Sequence, residues 1–155
     1  MERREFIALL GGAAALMPSQ AGAKPAHAMP SSADRLAGTW SFVSSVNTRK
    51  DGSLVDRWGA NPSGILMLDG NGHFSQIITG SESRLFGSKT FCAFGSYNFD
   101  GSSTLTMHFN GCSIAKVIGS VQERKIVLLT AEELKYINPQ TTADTIAEVL
   151  WKRLA

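Results

Sequence analysis

The sequence predicts an all-β fold, a small antiparallel up-and-down β-barrel of about eight strands. Three observations lead there. Beyond the N-terminal segment the chain is a series of short β-type runs separated by Gly, Asn, Asp and Ser turns, with no sustained helical period. One hairpin can be set in register, and its large apolar side chains then fall on one face. Finally, Gly38-Thr39-Trp40 opens the first run and Trp151-Lys152-Arg153 lies in the last, and these ends become neighbours only if the sheet closes on itself.

The chain begins with an address. Arg3 and Arg4 precede an apolar, Ala/Gly-rich stretch from Ile7 to Met17, followed by small residues and Ala-x-Ala sites ending at Ala23 and Ala28. This pattern resembles a twin-arginine secretion signal, which implies export machinery acting through Arg3 and Arg4. The alternative is an ordinary secretory signal that carries an Arg-Arg pair. The apolar run is too short to span a bilayer, and no Cys near the cleavage sites points to a lipid anchor, so no stable membrane anchor is expected. The expectation is residues 1–28 as a cleaved signal, 29–155 as one barrel domain, and a periplasmic or secreted bacterial protein; cleavage after Ala23 fits as well as cleavage after Ala28.

The chain has 15 Lys/Arg and 13 Asp/Glu; without Arg3, Arg4, Lys24, Glu2 and Glu5, 12 basic and 11 acidic residues remain. Near-neutral, interspersed charge gives no footprint for nucleic acid, and Arg49-Lys50 and Arg124-Lys125 are expected at solvated turns.

In chain order, Ser32 to Leu36 is expected to be a short helix plugging one end. Strands follow at Gly38–Thr48, Leu54–Trp58, Gly64–Leu68, His73–Thr79, Phe91–Phe99, Thr104–Phe109, Ala115–Val121, Lys125–Thr130 and Ala147–Leu154. Asp51-Gly52, Asp69-Gly70-Asn71-Gly72, Asp100-Gly101 and Asn110-Gly111 supply turns that tolerate positive φ. Gly80 to Thr90 is expected to be a mobile loop, and Ala131 to Tyr136 one helical turn stopped by Asn138-Pro139.

If Asp100 faces Thr104, then Phe99 pairs with Leu105, Tyr97 with Met107 and Gly95 with Phe109 on one apolar face, while Ser96, Asn98, Thr106, His108 and Asn110 take the other. The same register sets Cys92 opposite Cys112, the only two cysteines. In an exported chain that geometry suggests a disulfide; two unpaired thiols is the competing reading.

The stretches Leu36-Ala37-Gly38-Thr39-Trp40-Ser41-Phe42, Asp51-Gly52-Ser53, Trp58-Gly59-Ala60-Asn61-Pro62-Ser63-Gly64, Asp69-Gly70-Asn71-Gly72-His73-Phe74 and Phe94-Gly95-Ser96-Tyr97-Asn98-Phe99-Asp100-Gly101 resemble the bacterial lipocalin-like domain family. The resemblance implies a lipocalin-like barrel whose relatives commonly enclose a small hydrophobic ligand, and it implies no shared reaction. It weakens beyond Asn110.

Independently of the family, Arg153 on the last strand can lie over Trp40 on the first, a cation–π pair worth about 0.5–2 kcal/mol that, with Gly38, would close the barrel base. With Trp40 inward, Phe42, Ser44 and Val46 should share its side. Phe42, Met67, Tyr97, Met107 and Phe109 are the inward candidates to line a pocket.

Catalytic and metal constellations are thin. Past the signal only His73 and His108 occur; His108 and Cys112 are about 13 Å apart along a strand, and Ser96 opposite His108 lacks an orienting carboxylate. No catalytic residue, metal site or cofactor is expected. Three functions stay open: a binding protein for a small hydrophobic molecule, a cofactor-independent isomerase or cyclase with Tyr97 as acid, and a solid structural barrel.

Overall fold

The computed structural model describes residues 31–81 and 89–154. The expected export signal with Arg3 and Arg4, both candidate cleavage sites, and most of the Gly80–Thr90 loop lie outside the described residues.

A short helix, α1 (Ser32–Leu36), leads into β1 (Gly38–Thr48), and a two-residue strand β2 (Leu54–Val55) folds back on the end of β1. The meander continues through β3 (Ser63–Leu68), β4 (His73–Thr79), β5 (Thr90–Phe99), β6 (Thr104–Cys112), β7 (Val121–Leu129), β8 (Glu133–Asn138) and β9 (Ile146–Arg153). Each strand pairs antiparallel with the next, and β1 pairs with both β3 and β9. The sheet is therefore a closed barrel of eight strands, β1 and β3 to β9, with β2 as an appendage. Closure leaves no long free edge for another chain to pair with.

The predicted closure is present at the base. Trp40 faces Arg153 across the β1–β9 seam, and the Arg153 guanidinium lies 4.0 Å from the centre of the Trp40 ring. Arg153 also donates to the carbonyls of Ala37 (2.9 Å), Ala131 (2.7 Å) and Arg35, fastening the end of α1 and the β7–β8 turn to the last strand. Trp40 is fully buried, and its indole N–H donates to the Leu36 carbonyl at 3.1 Å. The helix is held by a reciprocal capping box between Ser31 and Asp34. A core of Leu36, Trp40, Leu66, Leu105, Leu134 and Trp151, all fully buried, fills this end.

The β5–β6 hairpin has the expected pairs Phe99–Leu105, Tyr97–Met107 and Gly95–Phe109. Gly95 is required sterically: a Cβ there would sit 1.8 Å from the His108 carbonyl oxygen. Beyond Gly95 the register departs from expectation, because a bulge leaves Asn110 unpaired and sets Cys112 opposite Ala93. Cys112 then packs against the core, whereas Cys92 pairs with the outward Ile77 on the other face. The cysteines are not cross-strand partners, and both are free thiols, in place of the disulfide the uncorrected register suggested.

Three further elements differ from the sequence expectation. Ala115–Val117 is a 3₁₀ turn rather than a strand, and the expected breaks around Arg124-Lys125 are the middle of one long strand, β7. The expected helical turn over 131–136 is instead a turn leading into β8, whose side chains alternate in burial. Here Leu134 and Tyr136 point inward, and Glu133 and Lys135 face solvent or flank it. An Ala-Glu-Glu-Leu-Lys run favours helix in isolation, but pairing with both β7 and β9 closes the barrel and overrides that local preference.

Candidate binding site at the open end of the barrel

The base is solid, whereas the opposite end holds a cavity of about 60 Å³. One wall is apolar: Phe42 from β1, Ile78 from β4, Phe91 from β5 and Val149 from β9, with Trp58 from the β2–β3 connection laid across the rim. Phe42 meets Trp58 edge-on at 6.3 Å and Trp151 at 5.3 Å, so the aromatic wall continues into the core. Gly80 allows Trp58 to settle there, since a Cβ at position 80 would lie 2.2 Å from the Trp58 carbonyl oxygen.

The other wall is polar. Asn47, Gln76, Gln122, Arg124 and Asn138 project into the cavity from four strands, and Thr141 and Thr142 reach it from the β8–β9 loop. Asn47 is 2 % exposed, donates to Ser45 Oγ at 2.9 Å, and accepts from Thr145, whose hydroxyl is 2.7 Å from that of Thr141. An open depression of about 540 Å³ adjoins the cavity and shares Gln122, Arg124, Asn138, Thr141 and Thr142 with it.

Two arginines line the cavity. Arg124, only 6 % exposed, donates to Asn138 Oδ1 (3.1 Å), Gln122 Oε1 (2.9 Å) and its neighbour's carbonyl at Glu123 (3.0 Å). It sits above the rings of Phe109 and Tyr136, about 6 Å from each. Arg57 lies 4.9 Å from the centre of the Trp58 ring and 5.9 Å from that of Phe91. Burial lowers the pKa of both guanidiniums from their usual value, opposed at Arg124 by Tyr136 and at Arg57 by Cys112. Arginine is basic enough to stay charged regardless. Burial in turn pushes the Tyr136 phenol up, with Arg124 acting against it.

Of the five residues expected to line a pocket, Phe42 does. Met107 and Phe109 are inward and nearly fully buried, but they belong to the packed core below the cavity. Met67 points outward and is 42 % exposed, a correction explained by pairing. Leu66, not Met67, lies opposite the inward Trp40. Tyr97 is half-buried and donates to the Asp69 carbonyl at 2.6 Å, at the turn between β3 and β4, so its hydroxyl is committed away from the cavity. Val46 is also outward, because a bulge at Phe42–Ser44 inserts Val43 and reverses the alternation, carrying Asn47 inward instead.

Arg124 was missed because Glu123-Arg124-Lys125 looked like a turn. The signal that finds it is parity. Arg124 and Ile126 share a face, while Glu123, Lys125 and Val127 take the other.

Among the described residues, no cluster of three His, Cys, Asp or Glu comes together to hold a metal ion. His73 and Asp69 form an exposed pair at 3.2 Å on the β3–β4 turn, and His108 is exposed opposite Ser96.

A model of the lipocalin-like domain matches residues 37–154, the whole barrel from the approach to β1 to the end of β9. The chain belongs to the lipocalin-like domain family. No curated protein matches it. Among solved structures, the chain is similar to the following two at low identity. A crystal structure of a lipocalin-like protein from Bacteroides uniformis is 16 % identical, covering 77 % of this chain and 99 % of its own, with a TM-score of 0.46. A de novo designed fluorescence-activating β-barrel is 13 % identical, covering 81 % and 99 % respectively, with a TM-score of 0.47. The family assignment agrees with the barrel closure built from Trp40 and Arg153.

Proposed function

We propose that the protein is an exported binding protein that holds a small, partly apolar molecule in the open end of its barrel. One observation carries the reading: the base is packed solid while the far end keeps a cavity with an aromatic wall and a polar wall. A purely structural barrel would gain stability by filling that space, since voids forfeit packing contacts. Pockets that bind small molecules pair apolar surface with a few placed polar groups, as this one does. Export is supported by Arg3-Arg4 and the apolar run that follows. The cyclase or isomerase reading lacks its acid, because the Tyr97 hydroxyl is held by the Asp69 carbonyl.

Native mass spectrometry of protein isolated from its own host tests this reading. A stoichiometric adduct of a few hundred daltons that leaves on unfolding is expected. A bare protein that also takes up nothing from a panel of small amphipathic compounds would overturn it.

A further inference from the structure

Arg124 is buried in the wall of the cavity, and among the described residues no carboxylate pairs with it. Its hydrogen-bond partners are two neutral amides, a backbone carbonyl and the Tyr136 phenol, none of them a carboxylate. No described Asp or Glu lines the cavity, and no described carboxylate forms an ion pair with either Arg124 or Arg57. Glu123 and Asp144 line only the outer depression, and both are exposed to solvent. A buried cation costs several kcal/mol of lost hydration unless an opposite charge is supplied. Proteins rarely bury arginine unpaired. In addition, the Thr142 hydroxyl, turned into the same cavity, is buried and has no hydrogen-bond partner among the described residues. Among the described residues the cavity thus has donors in surplus and no anion.

Building on the binding function proposed above, we infer that the ligand is an organic acid bound as its carboxylate, with the charged head between Arg124, Thr142 and Arg57 and a short apolar body against Phe42, Trp58 and Phe91. The guanidinium fork matches a carboxylate in two parallel hydrogen bonds. The size fits a small acid. At about 10–15 Å³ per water-sized position, the enclosed space holds a carboxylate and a few carbons, and anything larger extends into the adjoining depression.

The test uses hexanoate, its neutral analogue hexanamide, and inorganic phosphate, titrated by calorimetry into the purified mature protein and into Arg124→Met. Hexanoate should bind about ten- to a hundred-fold more tightly than hexanamide, as expected for charge-assisted hydrogen bonds in a dry site. Arg124→Met should lose that preference, hexanoate then binding no more tightly than hexanamide. It should also melt no lower than the parent, because an uncompensated buried charge has been replaced by an apolar chain of similar length. Equal binding of hexanoate and hexanamide, or a preference that survives Arg124→Met, overturns the acid and leaves the binding function standing. Phosphate bound more tightly than hexanoate overturns the carboxylate class. Binding of none of the three overturns this inference. It reaches the binding function only if the native protein also carries no adduct and the wider panel fails. An Arg124→Met protein that melts several degrees lower assigns the arginine to the fold and overturns its role as anion receptor; Arg124→Lys then checks that result, since a fold that needs only the charge is restored by it.

Discussion

Replacing Arg153 with Met should weaken the barrel by about 3–4 kcal/mol, a sum of two losses at the closure. The guanidinium lies 4.0 Å from the ring centre of a Trp40 that is fully buried, which places the cation–π contact at the desolvated end of its range, about 1.5–2 kcal/mol. The half-buried bond to the Ala37 carbonyl is charge-assisted and contributes about 1.5–2 kcal/mol more. The bonds to the carbonyls of Arg35 and Ala131 are at the surface, where water replaces the lost donor, and they add little. Met retains the apolar stem, so the loss isolates the charged head. Urea unfolding followed by circular dichroism should show a lower midpoint at an unchanged slope, and the melting temperature should fall by about 10–14 °C. Arg153→Lys should recover less than half, because an ammonium cannot span three carbonyls while stacking on the indole. A loss below about 1 kcal/mol in Arg153→Met would refute the view that this contact closes the barrel.

Gly95→Ala should be among the most damaging single changes, costing about 3 kcal/mol or more, because the new methyl meets the His108 backbone oxygen at 1.8 Å; a folded variant with native stability in urea would contradict that geometry. Leu66→Ala should cost about 2–5 kcal/mol and Met67→Ala under about 1, a contrast that thermal melts can read and that reverses if the strand is paired one residue out of register. The Asp100 carboxylate accepts from the backbone N–H groups of Ser102, Ser103 and Thr104, which holds its pKa below the usual value. Its contribution is complete above the unfolded pKa near 4 and is lost as pH falls through the lower folded value, so Asp100→Asn should flatten the acid limb of the stability profile. An unchanged slope below pH 4 would show that those bonds do not favour the ionised form. Burial raises the Cys112 thiol, so in titration with a disulfide reagent near neutral pH it should react more slowly than the same residue in urea, and the gap should narrow as pH rises; equal rates would place it at the surface.

What could be read from the sequence followed from turn chemistry and one-sided alternation. β1 and β4 have the expected limits, and the β5–β6 hairpin has its expected pairs up to Gly95, because Asp100-Gly101 fixes the turn and the two faces differ in polarity. The short helix over Ser32–Leu36 also has its expected limits, and the structure adds the Ser31–Asp34 capping box that holds it. The failures have physical causes. Bulges at Phe42–Ser44 and Phe94–Gly95 insert one residue each and reverse the parity beyond them, which moved Val46 outward, Asn47 inward and Cys112 out of line with Cys92. Ile65-Leu66-Met67-Leu68 is apolar on both faces, so alternation could not choose between Leu66 and Met67; only pairing with Trp40 does. Arg124, the most telling residue of the cavity, was hidden by charged neighbours whose side chains face solvent. Local sequence marks turns well, but which polar residues a closed barrel turns inward depends on register around the whole ring.

Small molecules are expected to enter the open end of the barrel and not its base. Amide chemical-shift mapping of the mature protein with hexanoate tests it most directly. Shifts should concentrate at Gln76, Phe91, Gln122, Arg124 and Asn138, leaving Trp40, Leu68 and Leu105 unmoved. Shifts centred on the base, or spread over the outer surface without saturation, would rule out binding at the open end.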